Sequence, residues 1–281
     1  MDRHAAGGID AKSHVDGFFR GGTGVRPLRD GMIARVDDER RWTPPRLWRL
    51  LLWAARGAVS TVCRLRVTGT VPAGGPVILA VNHIAALDPV VMMAACQVRR
   101  VSPRIMATGG LFRAPVVGTV MRHCGQIRVD RRRAEVAEAL PAARAALAEG
   151  SVVLAYPEGR ITLDPGAWPE RGRTGVARLA LDGGFPVVPV AQWGAHLLSP
   201  WGSPHGLAGR LLWALVHRPL VRVHFGPPVD LSGATVFQAT ERIMAALTEH
   251  LRPLRPDEPG LPAWIDPHRP VSVGRARLRR Y

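Results

Sequence analysis

Apolar positions along this chain follow two rhythms. Short, almost unbroken aliphatic runs alternate with longer stretches in which apolar residues return every three or four positions. The first rhythm predicts buried strands and the second amphipathic helices. Strands are predicted over 77–81, 104–108, 126–130, 152–156, 187–191 and 221–225, and helices over 89–96, 115–124, 134–149, 174–181 and 236–251. The 134–149 segment is the plainest helix, with Val136, Leu140, Ala143 and Leu147 on one side and Gly150 as its stop. This ordered alternation predicts an α/β domain with a mixed, largely parallel sheet flanked by helices. Pro189, inside the apolar run from Val187 to Val190, points to an edge strand or a bulge.

A helix of another kind precedes the block. After Pro44-Pro45, a helix is predicted from Arg46 to about Leu65, carrying Trp48 and Trp53. At helical spacing Arg46, Arg49, Arg56 and Arg64 fall within an arc of about 80°, while Leu47, Leu51, Val59 and Val62 lie elsewhere. Arg56 interrupts the run well short of the roughly 20 apolar residues a bilayer span needs, so the helix is expected to lie in a membrane interface; packing on the domain is the competing reading. The expected organisation is a mobile arm over 1–43, an interfacial amphipathic helix over 44–66, a catalytic domain over 67–252 and a poorly ordered, basic Pro/Arg-rich tail over 253–281. The arm lacks the cationic-then-apolar order of a signal peptide.

Charge narrows the partners. The 281 residues carry a formal net charge of +16, which favours a polyanionic partner: nucleic acid, an anionic membrane surface or a phosphorylated substrate. Lys12 is the only lysine among 38 basic residues. Arginine's planar fork suits phosphate, although uniform arginine usage equally fits compositional bias. The three cysteines have no CxxC spacing, so neither a disulfide framework nor a zinc site is indicated, and a reducing, cytosolic setting fits. No Gly-x-Ser-x-Gly elbow and no Gly-x-x-x-x-Gly-Lys loop occurs, against a serine hydrolase and a P-loop nucleotidase.

The candidate chemistry gathers at strand ends. Asn82-His83-Ile84-Ala85-Ala86-Leu87-Asp88 leaves the 77–81 strand and places a histidine five residues before an aspartate. Such a carboxylate can fix the tautomer and direction of an imidazole that moves a proton near neutral pH. With no nucleophile beside the pair, the substrate is expected to bring its own. Gly125 to Arg131 runs into Arg132 and Arg133, and Tyr156-Pro157-Glu158-Gly159-Arg160 closes another strand; collected at one sheet edge, their guanidinium groups would receive a phosphate.

These blocks, in this order and spacing, resemble the glycerolipid acyltransferase family that includes bacterial 1-acyl-sn-glycerol-3-phosphate acyltransferases. Asn82, His83 and Asp88 match its N-H-x-x-x-x-D motif. Gly125, Asp130 and Arg131 match its second motif; Tyr156, Pro157, Glu158 and Gly159 match its Phe-Pro-Glu-Gly-Thr-Arg in part; Val188, Pro189 and Val190 match its last. The likeness covers roughly 66 to 230, and Arg173 and Gly175 correspond to a basic residue and glycine after the third motif. One departure is plain: Arg160 and Ile161 stand where the family has Thr and then Arg.

The resemblance implies transfer of a fatty acyl group from acyl-CoA or acyl carrier protein to 1-acylglycerol 3-phosphate, giving phosphatidic acid. It assigns catalysis to His83 and Asp88 and substrate binding to Asn82, Gly125, Arg131, Glu158, Gly159 and Arg160, with Arg173 and Pro189 as further candidates. It implies no cofactor and no metal, a lysophospholipid acceptor, an anionic membrane surface as partner, and a peripheral or monotopic place on the cytoplasmic face of the cell membrane. The displaced Arg160 leaves another lysophospholipid or a glycolipid open as acceptor. An inactive lipid-binding relative and a basic nucleic-acid-binding protein are the readings from other classes. The second accounts for the charge but not for the apolar helix around Trp48 and Trp53, and nucleic acid is not expected.

Overall fold

Val77 to Val81 are buried at every position, which a strand tolerates only with neighbours at both edges and helices over both faces. The computed structural model describes residues 42–129, 133–199, 206–264, 266 and 269–272, and supplies both. In chain order the elements are α1 (Arg46–Val62), β1 (Arg64–Gly69), β2 (Val77–Val81), α2 (Asp88–Val98), β3 (Arg104–Thr108), α3 (Gly109–Arg113), α4 (Pro115–His123), β4 (Ile127–Val129), α5 (Arg133–Ala148), β5 (Val152–Ala155), α6 (Gly175–Gly183), β6 (Val187–Trp193), α7 (Leu207–His217), β7 (Leu220–Phe225) and α8 (Val236–Leu251). The sheet order is β1-β7-β6-β2-β5-β3-β4. All neighbours are parallel except β6 and β7, so the predicted mixed, largely parallel sheet is present.

The pleat of β2 divides the core. Leu79 and Val81 face the layer holding α1, α2 and α7, where Leu52, Met92 and Ala214 join them. Ile78 and Ala80 face α5, α6 and α8, with Leu147, Val176 and Ile243. The sharpest helix start is that of α8, where Thr235 and Gln238 form a reciprocal capping box.

Pro189 does not mark an edge. β6 lies inside the sheet, and the proline is accommodated because pairing with β7 begins only at Val190. Its carbonyl accepts from Gly226 N–H on the β7 side, so the missing donor faces the point where that ladder ends. Three elements carry no counterpart in the predicted series, the short α3 among them. β1 is an Arg-rich outer strand with alternating exposure, and α7 occupies a stretch for which the pattern supplied no element.

The domain-packing reading of the first helix holds for one face of it. Trp48, Leu52, Ala55 and Val59 are buried, and Trp48 Nε1–H donates to Pro103 O at 3.0 Å. Arg46, Arg49 and Arg56 stay exposed. No helix among the described residues is long and apolar enough to cross a membrane.

The tail departs further from expectation. In its described part it is docked onto the 159–170 loop. Arg255 is buried, with its guanidinium between the Trp168 and Trp193 rings at 4.2 and 4.0 Å. It donates to the carbonyls of Gly166, Glu258 and Gly260 at 2.6 to 2.7 Å. Arg269 Nη2 reaches the carbonyls of Thr162 and Asp164, and Ser272 N–H that of Leu163. A Pro/Arg-rich composition reads as solvated chain, but a guanidinium that finds three carbonyls and two indole faces is stable inside. Replacing Arg255 by Ala leaves those carbonyls without donors and is expected to lower unfolding stability by about 3 kcal/mol in chemical denaturation. Arg255→Lys is expected to recover little, because an ammonium cannot stack and span three carbonyls; a lysine variant as stable as the parent would contradict this account.

Candidate active site

The site forms where β2, β5 and β6 end side by side. Asn82, the first residue beyond β2, is buried and replaces a strand ladder: Nδ2 donates to Gln192 O at 3.1 Å, and Oδ1 accepts Gln192 N–H at 2.8 Å. The side chain of Gln192 returns a bond to Asn82 O at 2.9 Å. Asn82 is therefore a strut that ties the His83 loop to β6, with its amide committed away from any substrate.

The loop then folds around one oxygen. Asp88 opens α2, where the helix dipole favours an anion, and Pro89 supports the start. Its buried Oδ2 accepts the backbone N–H groups of Ile84 at 2.6 Å and Ala85 at 3.0 Å, and faces His83 Nδ1 at 2.8 Å. A carboxylate only accepts, so Nδ1 carries the hydrogen and Nε2 is left with a lone pair. The ring stacks on Tyr156 at 4.2 Å between centroids, and the His83 side chain keeps 17% of its surface in contact with solvent.

β5 contributes the opposite wall. Glu158 Oε1 accepts His83 N–H at 3.1 Å and Oε2 accepts Glu170 N–H at 2.8 Å, so this buried carboxylate binds two loops together. Thr162 N–H donates to His83 O at 2.8 Å and completes the clamp. Gly159 has a φ of +69°, a left-handed backbone that glycine adopts without strain. A Cβ there would meet Arg173 Nε at 2.7 Å, so the exposed Arg173 lies across this glycine at the lip of the site.

No serine or cysteine side chain bonds His83 among the described residues. Cys96 is buried in α2, and burial alone pushes its thiol up to about 12. Desolvation likewise pushes Cys63 up to about 11, so neither is a thiolate nucleophile. A base with an open nitrogen and no nucleophile of its own suits a substrate that carries the hydroxyl.

Residues 64–193 match the sequence profile of the family described as Acyltransferase, a span that runs from β1 to the end of β6. That span is similar to an acyltransferase-family domain. A 1-acyl-sn-glycerol-3-phosphate acyltransferase of Chlamydomonas reinhardtii is 32% identical over 152 residues, which is 53% of this chain and 43% of that protein. The chain thus spans less than half of that relative. The crystal structure of the 1-acyl-sn-glycerophosphate acyltransferase PlsC of Thermotoga maritima superposes with a TM-score of 0.60 at 19% identity, covering 74% of this chain and 80% of that one. At that identity the likeness establishes the fold.

Within the matched span the sequence-predicted residues separate into groups. His83, Asp88, Glu158 and Gly159 meet at the strand ends, with Arg173 beside them. Arg131 lies outside the described residues. Gly125 is at the opposite edge: it precedes β4, which runs parallel to β3, and its carbonyl accepts from Arg104 Nε at 2.6 Å where β3 begins. Pro189 is buried within β6 and reaches the site only through the strand end that holds Gln192. Arg160 is at the site but bound: Nε and Nη2 fork onto the buried carboxylate of Glu170 at 3.1 and 3.0 Å.

Glu170 was missed by sequence reasoning, as were Arg255 and Arg269. The separation of ten residues to Arg160 is not a helical or strand period, so only the turn of the loop brings the pair together. Arg160→Ala is expected to destabilise the fold by about 3 kcal/mol, since Glu170 would be left charged and buried. The Michaelis constant for the acceptor is expected to change less than threefold; a loss confined to acceptor binding, with unaltered stability, would show that Arg160 serves substrate instead.

Proposed function

We propose that the chain transfers a fatty acyl group from acyl-CoA or acyl carrier protein to the free hydroxyl of 1-acylglycerol 3-phosphate, yielding phosphatidic acid at the cytoplasmic face of a membrane. The observation that carries this is the His83–Asp88 pair, with Nδ1 held and Nε2 open beside a carboxylate-clamped loop in a span that matches the acyltransferase family. The named acceptor of the Chlamydomonas relative supports the choice of alcohol.

His83 Nε2 takes the proton of the acceptor hydroxyl as its oxygen attacks the thioester carbonyl. Asp88 stabilises the imidazolium that forms. The tetrahedral intermediate collapses with loss of the C–S bond, and the departing sulfur receives the proton back from His83. The products are an ester and a thiol, and no covalent enzyme intermediate is needed. Arg173, with Arg131, supplies the positive charge for the acceptor phosphate. Glu158 acts through the loop, since its two oxygens hold the His83 and Glu170 backbones. The capture of Arg160 by Glu170 favours a second reading, in which the acceptor is a lysophospholipid bearing a head group and fewer cations meet its phosphate.

Thiol release from one acyl-CoA, followed with lysophosphatidate, glycerol 3-phosphate and a head-group-bearing lysolipid, tests the choice. Lysophosphatidate is expected to be used at least tenfold more efficiently than the others; a preference for the head-group-bearing lipid would establish the second reading. His83→Ala is expected to abolish release with the fold intact, and residual turnover near that of the parent would sink the mechanism. Asp88→Asn is expected to reduce turnover by orders of magnitude, because a neutral amide oxygen held by the Ile84 and Ala85 N–H groups no longer stabilises the imidazolium that forms.

A further inference from the structure

α7 is built inside out. Its one arginine, Arg210, turns inward: the guanidinium lies 4.0 Å from the Trp213 ring and 3.9 Å from that of Trp264, and Nε donates to Leu197 O at 2.9 Å. Three aliphatic residues point the other way, with Leu212 65%, Leu215 50% and Val216 73% exposed, while Ala214 is buried. Ala208 and Gly209 share that exposed side, so no charge interrupts it. A helix that hides its cation and presents leucine and valine to the outside is paired with a non-aqueous neighbour.

Its surroundings say which neighbour. α7 packs on α1, whose outer arc exposes Leu50 and Trp53 among Arg46, Arg49 and Arg56, with Arg56 lying over the Trp53 ring at 5.6 Å. Apolar groups ringed by arginines complement an anionic lipid surface, where tails take the first and headgroups the second. The position agrees. α7 is anchored at Leu197, just beyond the end of β6, and leads directly into the start of β7 at Leu220. Parallel pairing of β6 with β2 makes this the sheet edge that carries His83. α7 also lies outside the 64–193 span of the family match.

We propose that the outer face of α7 joins α1 in a two-helix surface that docks on an anionic lipid layer and brings the layer to the His83 edge. This rests on the reading of the chain as an enzyme of lipid acceptors. The test uses the full chain and vesicles of equimolar phosphatidylcholine and phosphatidylglycerol. Leu212→Ser/Leu215→Ser/Val216→Ser is expected to lower vesicle partition at least tenfold, as is Leu50→Ser/Trp53→Ser, while the parent binds phosphatidylcholine vesicles at least tenfold more weakly than the anionic ones. Because a triple variant can misfold, an environment-sensitive dye on Val216→Cys provides a second readout. Its emission is expected to shift to the blue when vesicles are added, and the same dye on Glu241→Cys, on the opposite helical layer, is expected to stay aqueous.

A triple variant that partitions like the parent, or a Val216 dye that remains in water, overturns the role of α7. If only the α1 variant loses binding, α1 docks alone. Failure of the acyltransferase reading is distinguished by thiol release with detergent-dispersed lysophosphatidate: the α7 variant is expected to retain it, whereas His83→Ala is not. Equal partition into neutral and anionic vesicles would remove the arginine rim from the account.

Discussion

One carboxylate oxygen organises the reactive edge of this protein. Asp88 Oδ2 gathers two backbone N–H groups and the Nδ1 of His83 within 3.0 Å, at the amino end of a helix whose dipole favours its charge. The backbone bonds bend the loop, and the bent loop brings the imidazole to the same oxygen. Shape, tautomer and direction of the base therefore come from a single group, and the exposed nitrogen is the only one left for chemistry.

The other buried carboxylates hold what surrounds it. Glu158 ties the His83 loop to the loop that contains Glu170, and Glu170 in turn takes Arg160 and the Leu163 N–H. From the outside, Arg255 and Arg269 bind the carbonyls of that second loop. The acids bind N–H groups inside and the guanidinium groups bind C=O groups outside, so an irregular segment of more than ten residues is held without secondary structure. Most arginines of this region thus serve architecture, while Arg173 lies exposed across Gly159.

The first helix shows how a single pattern served two expectations. Its tryptophan-bearing apolar arc fits either a membrane or the domain, and Trp48 with Leu52 settles into the core while Leu50 and Trp53 remain outside. Periodicity reports that a helix has faces; it does not report what covers each one. The same limit hid α7, where eleven residues of almost unrelieved hydrophobicity carry no polar face to mark their period.

The sequence by itself determined the sheet of buried strands, the covering helices and the His83–Asp88 pair. These depend on neighbours along the chain: periodicity sets strand and helix, and a five-residue turn into a helix start brings the two side chains together. Gly125, read from the chain as part of the same substrate edge, lies at the far edge instead, because it precedes its parallel strand where His83 follows one, and that direction is set by the folded sheet. Tertiary structure alone decided the rest. Which carboxylate captures Arg160, whether the tail is solvated or sandwiched between Trp168 and Trp193, and which side of α7 turns outward all depend on groups far apart or out of register in the chain. A charge has no preferred partner until the fold sets distances and removes water, and that step is not written in local order.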